Sequence, residues 1–283
     1  MIVSPMSTIA IRERKREKEP PKSASSVVVG MVQMKAAASC SENLAKAMRE
    51  IERLAERGAQ VISLQELFLS RYFPQSEDVA SFQLAETIPG PTTEVLSKAA
   101  GTKKVVIVAS LFEKRAQGIY HNTAVVFDAD GRLAGKYRKM HIPDDPGFYE
   151  KFYFTPGDLG FRAFETRYAK VGVLVCWDQW FPEAARVVSL DGAQILFYPT
   201  AIGARVNEKK SVVEAQRSAW ETVQRAHAIQ NGIYVVAVNR VGLEGNLRFW
   251  GSTFVADPFG GLVARASAAS GEALLADCDL AKI

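Results

Sequence analysis

The stretch VGVLVCWDQWFPEAAR (171–186) decides how this chain folds. Val171 to Val175 is an apolar, β-branched run, which predicts a buried strand. It ends at a lone cysteine, Cys176, and an aromatic and polar cluster follows. Pro182-Glu183-Ala184-Ala185-Arg186 then has the composition of a helix start, with proline in the first turn. A strand that stops at a thiol before a helix puts that thiol on the rim of a sheet, where reactive nucleophiles are often held. Taken alone, the segment fits a buried cysteine acting as a small hydrophobe equally well.

Working outward, the same alternation recurs. Val27 to Val32, Val61 to Leu64, Val105 to Leu111, Ile195 to Tyr198 and Tyr234 to Val238 are apolar strand runs. Asn43 to Gly58, Thr92 to Ala100, Pro182 to Leu190 and Ser211 to Asn231 have helical spacing. Asp128-Ala129-Asp130-Gly131 and Asp257-Pro258-Phe259-Gly260 are hairpin turn signals between short strands. Strands alternating with helices, with hairpins between the units, predict an α/β architecture of mixed sheets covered by helices. Strands apolar on both faces predict sheets covered on both sides. A single doubly wound sheet is the alternative, but the glycine-rich nucleotide fingerprint and phosphate loop that would support it are missing.

Composition narrows the function classes. Hydrophobic content of 48% and charged content of 23% are those of a soluble globular protein. No apolar run approaches the roughly 20 residues that span a bilayer, so no membrane partner is expected. Of the net charge of +4, most lies in residues 1–22, which hold six basic and three acidic side chains. The rest of the chain is near neutral and offers no basic face for nucleic acid. Residues 1–26 are expected to be a basic, solvated arm and residues 27–283 a single domain. The three cysteines, Cys40, Cys176 and Cys278, are widely spaced. They suggest neither a disulfide framework nor a zinc site, and fit a reducing cytoplasm.

Two further motifs change the weight on Cys176. Glu66, in Leu64-Gln65-Glu66-Leu67-Phe68, directly follows an apolar strand. A carboxylate there is either ion-paired or a base with a raised pKa. Lys139, in Tyr137-Arg138-Lys139-Met140-His141, follows a hairpin strand, and alone it reads as an ordinary solvated lysine. As a set, the three are chemically coherent. A thiol needs a base or a positive charge beside it, a carboxylate can take its proton and later activate water, and an ammonium can stabilise an oxyanion. With three histidines, none at metal-ligand spacing, and no Gly-x-Ser-x-Gly elbow, a histidine-based triad has little support.

Glu66, Lys139 and Cys176, in that order and each after a strand, resemble the catalytic triad of the nitrilase superfamily of carbon–nitrogen hydrolases, over about residues 27–283. The resemblance implies a four-layer α-β-β-α sandwich, no metal, no organic cofactor, and a homodimer or larger homo-oligomer. It also implies a fourth catalytic residue, Glu150, in PGFYEKF (146–152). The stretches QELFLSRYFPQ (65–75), YRKMHIPDDPGFYEKFYFTPGD (137–158), CWDQWFPEAAR (176–186) and ILFYPTAIG (195–203) are similar to the branch that hydrolyses N-carbamoylputrescine.

Relatives acting on N-carbamoyl D-amino acids carry two arginines shortly after the cysteine, which bind the substrate carboxylate. Here Gln179 and Trp180 stand at those positions, so the resemblance implies a neutral, aromatic wall suited to a methylene chain and an ammonium. Trp177, Trp180, Tyr72 and Phe148 are the aromatic candidates, with core packing the plainer role for each except Trp177. A non-catalytic binding or scaffold protein of the family would be expected to lack a triad residue, and all three are present. The family usually continues beyond the position of Ile283 with a tail that packs between subunits, so the larger assemblies are less expected than a two-fold dimer.

Overall fold

The computed structural model describes residues 25–283. It contains two six-stranded mixed sheets. The first runs in the order Glu272–Asp279, Ser26–Gln33, Val61–Leu64, Val106–Ala116, Ile119–Phe127, Leu133–Arg138. The second runs Leu262–Arg265, Phe254–Ala256, Tyr234–Asn239, Ile195–Thr200, Lys170–Val173, Ala163–Glu165. In each sheet the central strands are parallel and the outer ones pair antiparallel, most of them through hairpins.

The layering follows from period-two alternation along buried strands. Val106 and Val108 pack with Val171, Ile195 and Val235 of the opposite sheet, whereas Ile107 and Ala109 face the other way, against Leu54 and Leu96. Helices Cys40–Glu56 and Pro91–Lys103 therefore cover the first sheet. Helices Pro182–Leu190 and Lys210–Asn231 cover the second through Ala184, Ala185, Val188, Trp220 and Ala228. This is the expected four-layer α-β-β-α sandwich. Each fully buried Val, Leu or Ile adds about 1.5–3 kcal/mol of apolar burial. The approach of helix Pro182–Leu190 to its sheet is close: a Cβ on Gly172 would stand 2.2 Å from Val188.

Three details differ from the sequence expectations. Ser26 opens the first strand and pairs with Asp279, so the domain begins before residue 27, while the arm expected over the first residues lies outside the described residues. The strand beneath the cysteine is shorter than Val171 to Val175. It ends at Val173, and Cys176–Trp180 forms a short 3-10 helix. A third sheet, Gly203–Arg205, Leu247–Trp250, Val241–Glu244, was not anticipated. Its signal was available: Gly245-Asn246 joins the paired ends Glu244 and Leu247 as a two-residue hairpin loop.

The outer edge of the first sheet is tied by charge. Glu113 accepts hydrogen bonds from Thr123 Oγ1 (2.6 Å), Lys136 Nζ (2.8 Å) and Arg138 Nε and Nη2 (2.8 Å each). Burial pushes this carboxyl up, but Arg138, Lys136 and Thr123 together outweigh it and hold it down to about 2. An unfolded glutamate titrates near pH ~4.3. The stabilisation is thus complete above that value and is lost as pH falls toward 2. The melting temperature is expected to drop through this acid window, and Glu113→Gln should lower stability at neutral pH while flattening the acid limb. An unchanged acid limb in the variant, read by thermal melts across pH, would contradict this assignment.

Candidate active site

Two strand ends of the first sheet, a single helical turn and the turn after a strand of the second sheet meet at one buried point. Glu66 lies two residues past strand Val61–Leu64, where Leu67 turns with φ 46°. Lys139 follows strand Leu133–Arg138 directly, and its backbone N–H donates to Asn122 O at 2.8 Å. Glu150 opens a single helical turn, Glu150–Tyr153. Cys176 begins the 3-10 helix with φ 42°, a left-handed conformation that costs a non-glycine residue roughly 1–2 kcal/mol. All four side chains are buried.

Lys139 Nζ is bound between two carboxylates, 2.9 Å from Glu66 Oε1 and 2.6 Å from Glu150 Oε2. Asn122 Nδ2 also donates to Glu66 Oε1, at 2.7 Å, and Tyr72 Oη donates to Glu150 Oε1 at 2.6 Å. Ser110 Oγ donates to Asn122 Oδ1 (2.8 Å) and accepts from Leu67 N (3.1 Å). A polar chain from Ser110 to Tyr72 thus crosses the apolar core. Within this chain of groups, Glu66 Oε2 is left without a hydrogen-bond partner among the described residues. From the far side, Arg240 donates to Glu66 O (2.9 Å) and Leu67 O (3.0 Å) and pairs with Glu244 at 2.8 Å, while Glu244 accepts from Tyr72 N at 2.7 Å.

The electrostatics follow from burial against pairing. Burial pushes Lys139 down, but Glu150, Glu66 and the nearby Cys176 outweigh it and leave its pKa above the ordinary lysine value. Burial pushes Glu150 up to about 7, against the pull of Lys139. Burial and the charge of Glu66 hold the Cys176 thiol well above its usual range, opposed by Lys139 and by the backbone N–H of Ala201. In the resting state the thiol therefore keeps its proton. Such a nucleophile needs a base that removes the proton as attack occurs, and a carboxylate oxygen with a free lone pair suits that step.

Cys176 and Glu150 lie in the wall of a cavity of about 450 Å³. Trp177, Trp180 and Phe148 line it, as does Trp250, which the sequence had not suggested. Tyr72 supports the wall from behind, with its ring centroid 5.6 Å from that of Phe148. Gln179 is placed differently from expectation. It is fully buried under the cysteine turn, where its Oε1 accepts from Trp220 Nε1 (2.9 Å) and Gln224 Nε2 (2.8 Å), and it does not reach the cavity. An arginine is also present in the wall after all: Arg205, whose Nη2 is 3.6 Å from Glu208 Oε2, comes from the unanticipated third sheet. The wall is aromatic as expected at Trp177, Trp180 and Phe148, but Gln179 is not part of it and Arg205 makes it charged rather than neutral. Sequence reading also missed Ser110, Asn122, Asp178, Arg240 and Glu244. The signal for Ser110 and Asn122 was a polar residue inside an otherwise apolar strand, which a buried strand tolerates only with a partner.

Comparison with known proteins places this geometry in a family. The carbon–nitrogen hydrolase family model matches residues 28–283. N-carbamoylputrescine amidase of Solanum lycopersicum is 44% identical over 266 residues, covering 91% of this chain and 87% of the relative. Citrullinase of Francisella tularensis subsp. tularensis is 40% identical over 262 residues, covering 91% and 90%. The crystal structure of a carbon–nitrogen hydrolase from Helicobacter pylori G27 superimposes with a TM-score of 0.88 at 46% identity, covering 91% of this chain and 90% of that one. With the sandwich fold, the buried cysteine turn and these matches in agreement, this chain belongs to the carbon–nitrogen hydrolase family.

Proposed function

We propose that the chain hydrolyses a C–N bond of N-carbamoylputrescine through a covalent intermediate on Cys176, with Glu66, Lys139 and Glu150 as its catalytic partners. The observation that carries this reading is Lys139 locked between Glu66 and Glu150 close to the thiol of Cys176, with Glu150 and Cys176 in the wall of the cavity. Glu66 Oε2 takes the proton of Cys176 as sulfur attacks the ureido carbonyl and an S–C bond forms. Lys139 and the backbone N–H of Trp177 stabilise the oxyanion. The tetrahedral adduct collapses, the C–N bond breaks, and Glu66 returns the proton to the leaving amine. A water activated by Glu66 then attacks the thiocarbamate, the C–S bond breaks, and the resulting carbamate loses carbon dioxide. The products are putrescine, ammonia and carbon dioxide.

The cavity wall supports the diamine substrate. Trp177, Trp180, Trp250 and Phe148 offer apolar and π surface for a methylene chain, and the carboxylates of Asp145 and Glu208 offer charge for a distal ammonium. Arg205 in the same wall favours a second reading, a ureido amino acid such as citrulline, which adds a carboxylate to the same skeleton. A free-thiol nucleophile suits a reducing cytoplasm, and a homodimer remains the proposed assembly.

Ammonia release from N-carbamoylputrescine, citrulline and N-carbamoyl-β-alanine tests the choice. N-carbamoylputrescine is expected to lead by at least about tenfold in kcat/KM, and Cys176→Ala should abolish turnover of all three. Citrulline turning over fastest, with that activity lost in Arg205→Ala, would replace the first reading by the second. Gln179→Ala is expected to leave KM unchanged while lowering stability by about 1–3 kcal/mol, because it leaves buried donors of Trp220 and Gln224 unpaired. A raised KM with intact stability would return Gln179 to the cavity wall.

A further inference from the structure

Asp178 has no place in the reaction proposed above, yet it joins the two segments that carry the reacting groups. It is fully buried two residues after Cys176. Its Oδ1 accepts from the backbone N–H of His141 (3.1 Å) and from His141 Nδ1 (2.7 Å). Its Oδ2 accepts from Tyr137 Oη (2.9 Å) and from the backbone N–H of Val175 (2.8 Å). Tyr137 and His141 stand two residues either side of Lys139, and Val175 immediately precedes Cys176. One carboxylate therefore bonds the lysine segment of the first sheet to the cysteine turn of the second.

The neighbours reinforce the tie. Asp178 N donates to Val175 O at 3.1 Å, which closes the turn that holds Cys176 in its left-handed conformation. Tyr137 Oη also accepts from Met140 N at 3.2 Å, so the lysine segment is folded around the same phenol. The His141 ring lies parallel to Phe181 with centroids 3.6 Å apart, which fixes its Nδ1 toward Asp178.

We infer that Asp178 is a positioning residue that sets the place of Cys176 relative to Lys139 and Glu66. This deepens the proposed cysteine mechanism and rests on it. The chemistry requires a carboxylate. All four contacts come from donors, two on each oxygen, and Oδ1 and Oδ2 serve different sets. Asparagine has the same shape but presents an NH2 group to one of those sets. Whichever way the amide turns, one backbone N–H, that of His141 or that of Val175, then faces the NH2 group, and that tie is replaced by repulsion. Misplacing a nucleophile by about 1 Å can cost on the order of 100-fold in rate.

The test compares Asp178→Asn with the parent enzyme in three readouts: steady-state kinetics on whichever ureido or amide compound is turned over, the rate of Cys176 alkylation by iodoacetamide, and the thermal melt. The expected result is a folded protein whose kcat falls by about 10- to 100-fold, whose KM stays within about threefold, and whose Cys176 alkylates at an altered rate with a shifted pH profile. Tyr137→Phe and His141→Gln each remove one tie and keep the test valid should Asp178→Asn fail to fold. Each should lower kcat, and the double variant should lose less than the product of the two single losses, since both act through Asp178. Wild-type kcat and alkylation in the folded variants, or a loss of kcat that only tracks the folded fraction, would overturn the inference. Turnover that survives Cys176→Ala would instead overturn the mechanism on which it rests, so the two failures are distinguishable.

Discussion

The ammonium of Lys139 between the carboxylates of Glu66 and Glu150 is the constraint on which the rest of the structure depends. Each of these ions, taken from water into the interior, costs several kcal/mol unless it is paired and hydrogen-bonded. Both carboxylates bond Lys139, and Asn122 and Tyr72 complete the set. Those partners come from separate strands of the first sheet and the segments that follow them, so the charged group can exist only when those strands are in register, and Arg240, just past a strand of the second sheet, ties the backbone of Glu66 to that sheet. The fold and the chemistry are in this sense one problem. The apolar layers supply the stability that a buried charged cluster uses up, and the cluster leaves one carboxylate oxygen, Glu66 Oε2, unpaired near the thiol.

Much of this was legible in the sequence. The apolar runs place the central strands of both sheets, which are buried on both faces, and the hairpin turns place most of the outer ones. Glu66, Lys139 and Cys176 announce themselves by position, since each follows a strand by three residues or fewer. What was not legible is what depends on contacts far apart in the chain. Gln179 and Trp180 are neighbours in sequence, yet Trp180 lines the cavity while Gln179 points beneath it at Trp220 and Gln224. The 3-10 turn rotates one toward substrate and the other toward helix Lys210–Asn231, and no local pattern reveals that rotation. Arg240 likewise reads as an ordinary basic residue after a strand. Its role, holding the backbone of Glu66 and Leu67 from the opposite sheet, exists only in three dimensions.

In the proposed reading, the wall of the cavity carries the specificity and the buried cluster supplies the reaction. The family relationship, the thiol and the charged cluster would serve any amide or ureido carbonyl that reaches Cys176. The groups on that wall that can distinguish such compounds are the aromatic faces of Trp177, Trp180 and Trp250 and the charges of Asp145, Arg205 and Glu208. Apart from Trp177 and Trp180 on the cysteine turn, these come from short connecting segments and from the small third sheet, which can vary without disturbing the two large sheets beneath.

The most direct test of the account is rapid acid quenching of the enzyme during turnover of N-carbamoylputrescine, followed by mass analysis of the peptide that contains Cys176. The account predicts a covalent carbamoyl group on the sulfur of Cys176, present during turnover, gone after substrate is exhausted and never formed in Cys176→Ala. Turnover with no adduct on Cys176, or turnover in the Cys176→Ala variant, would contradict it.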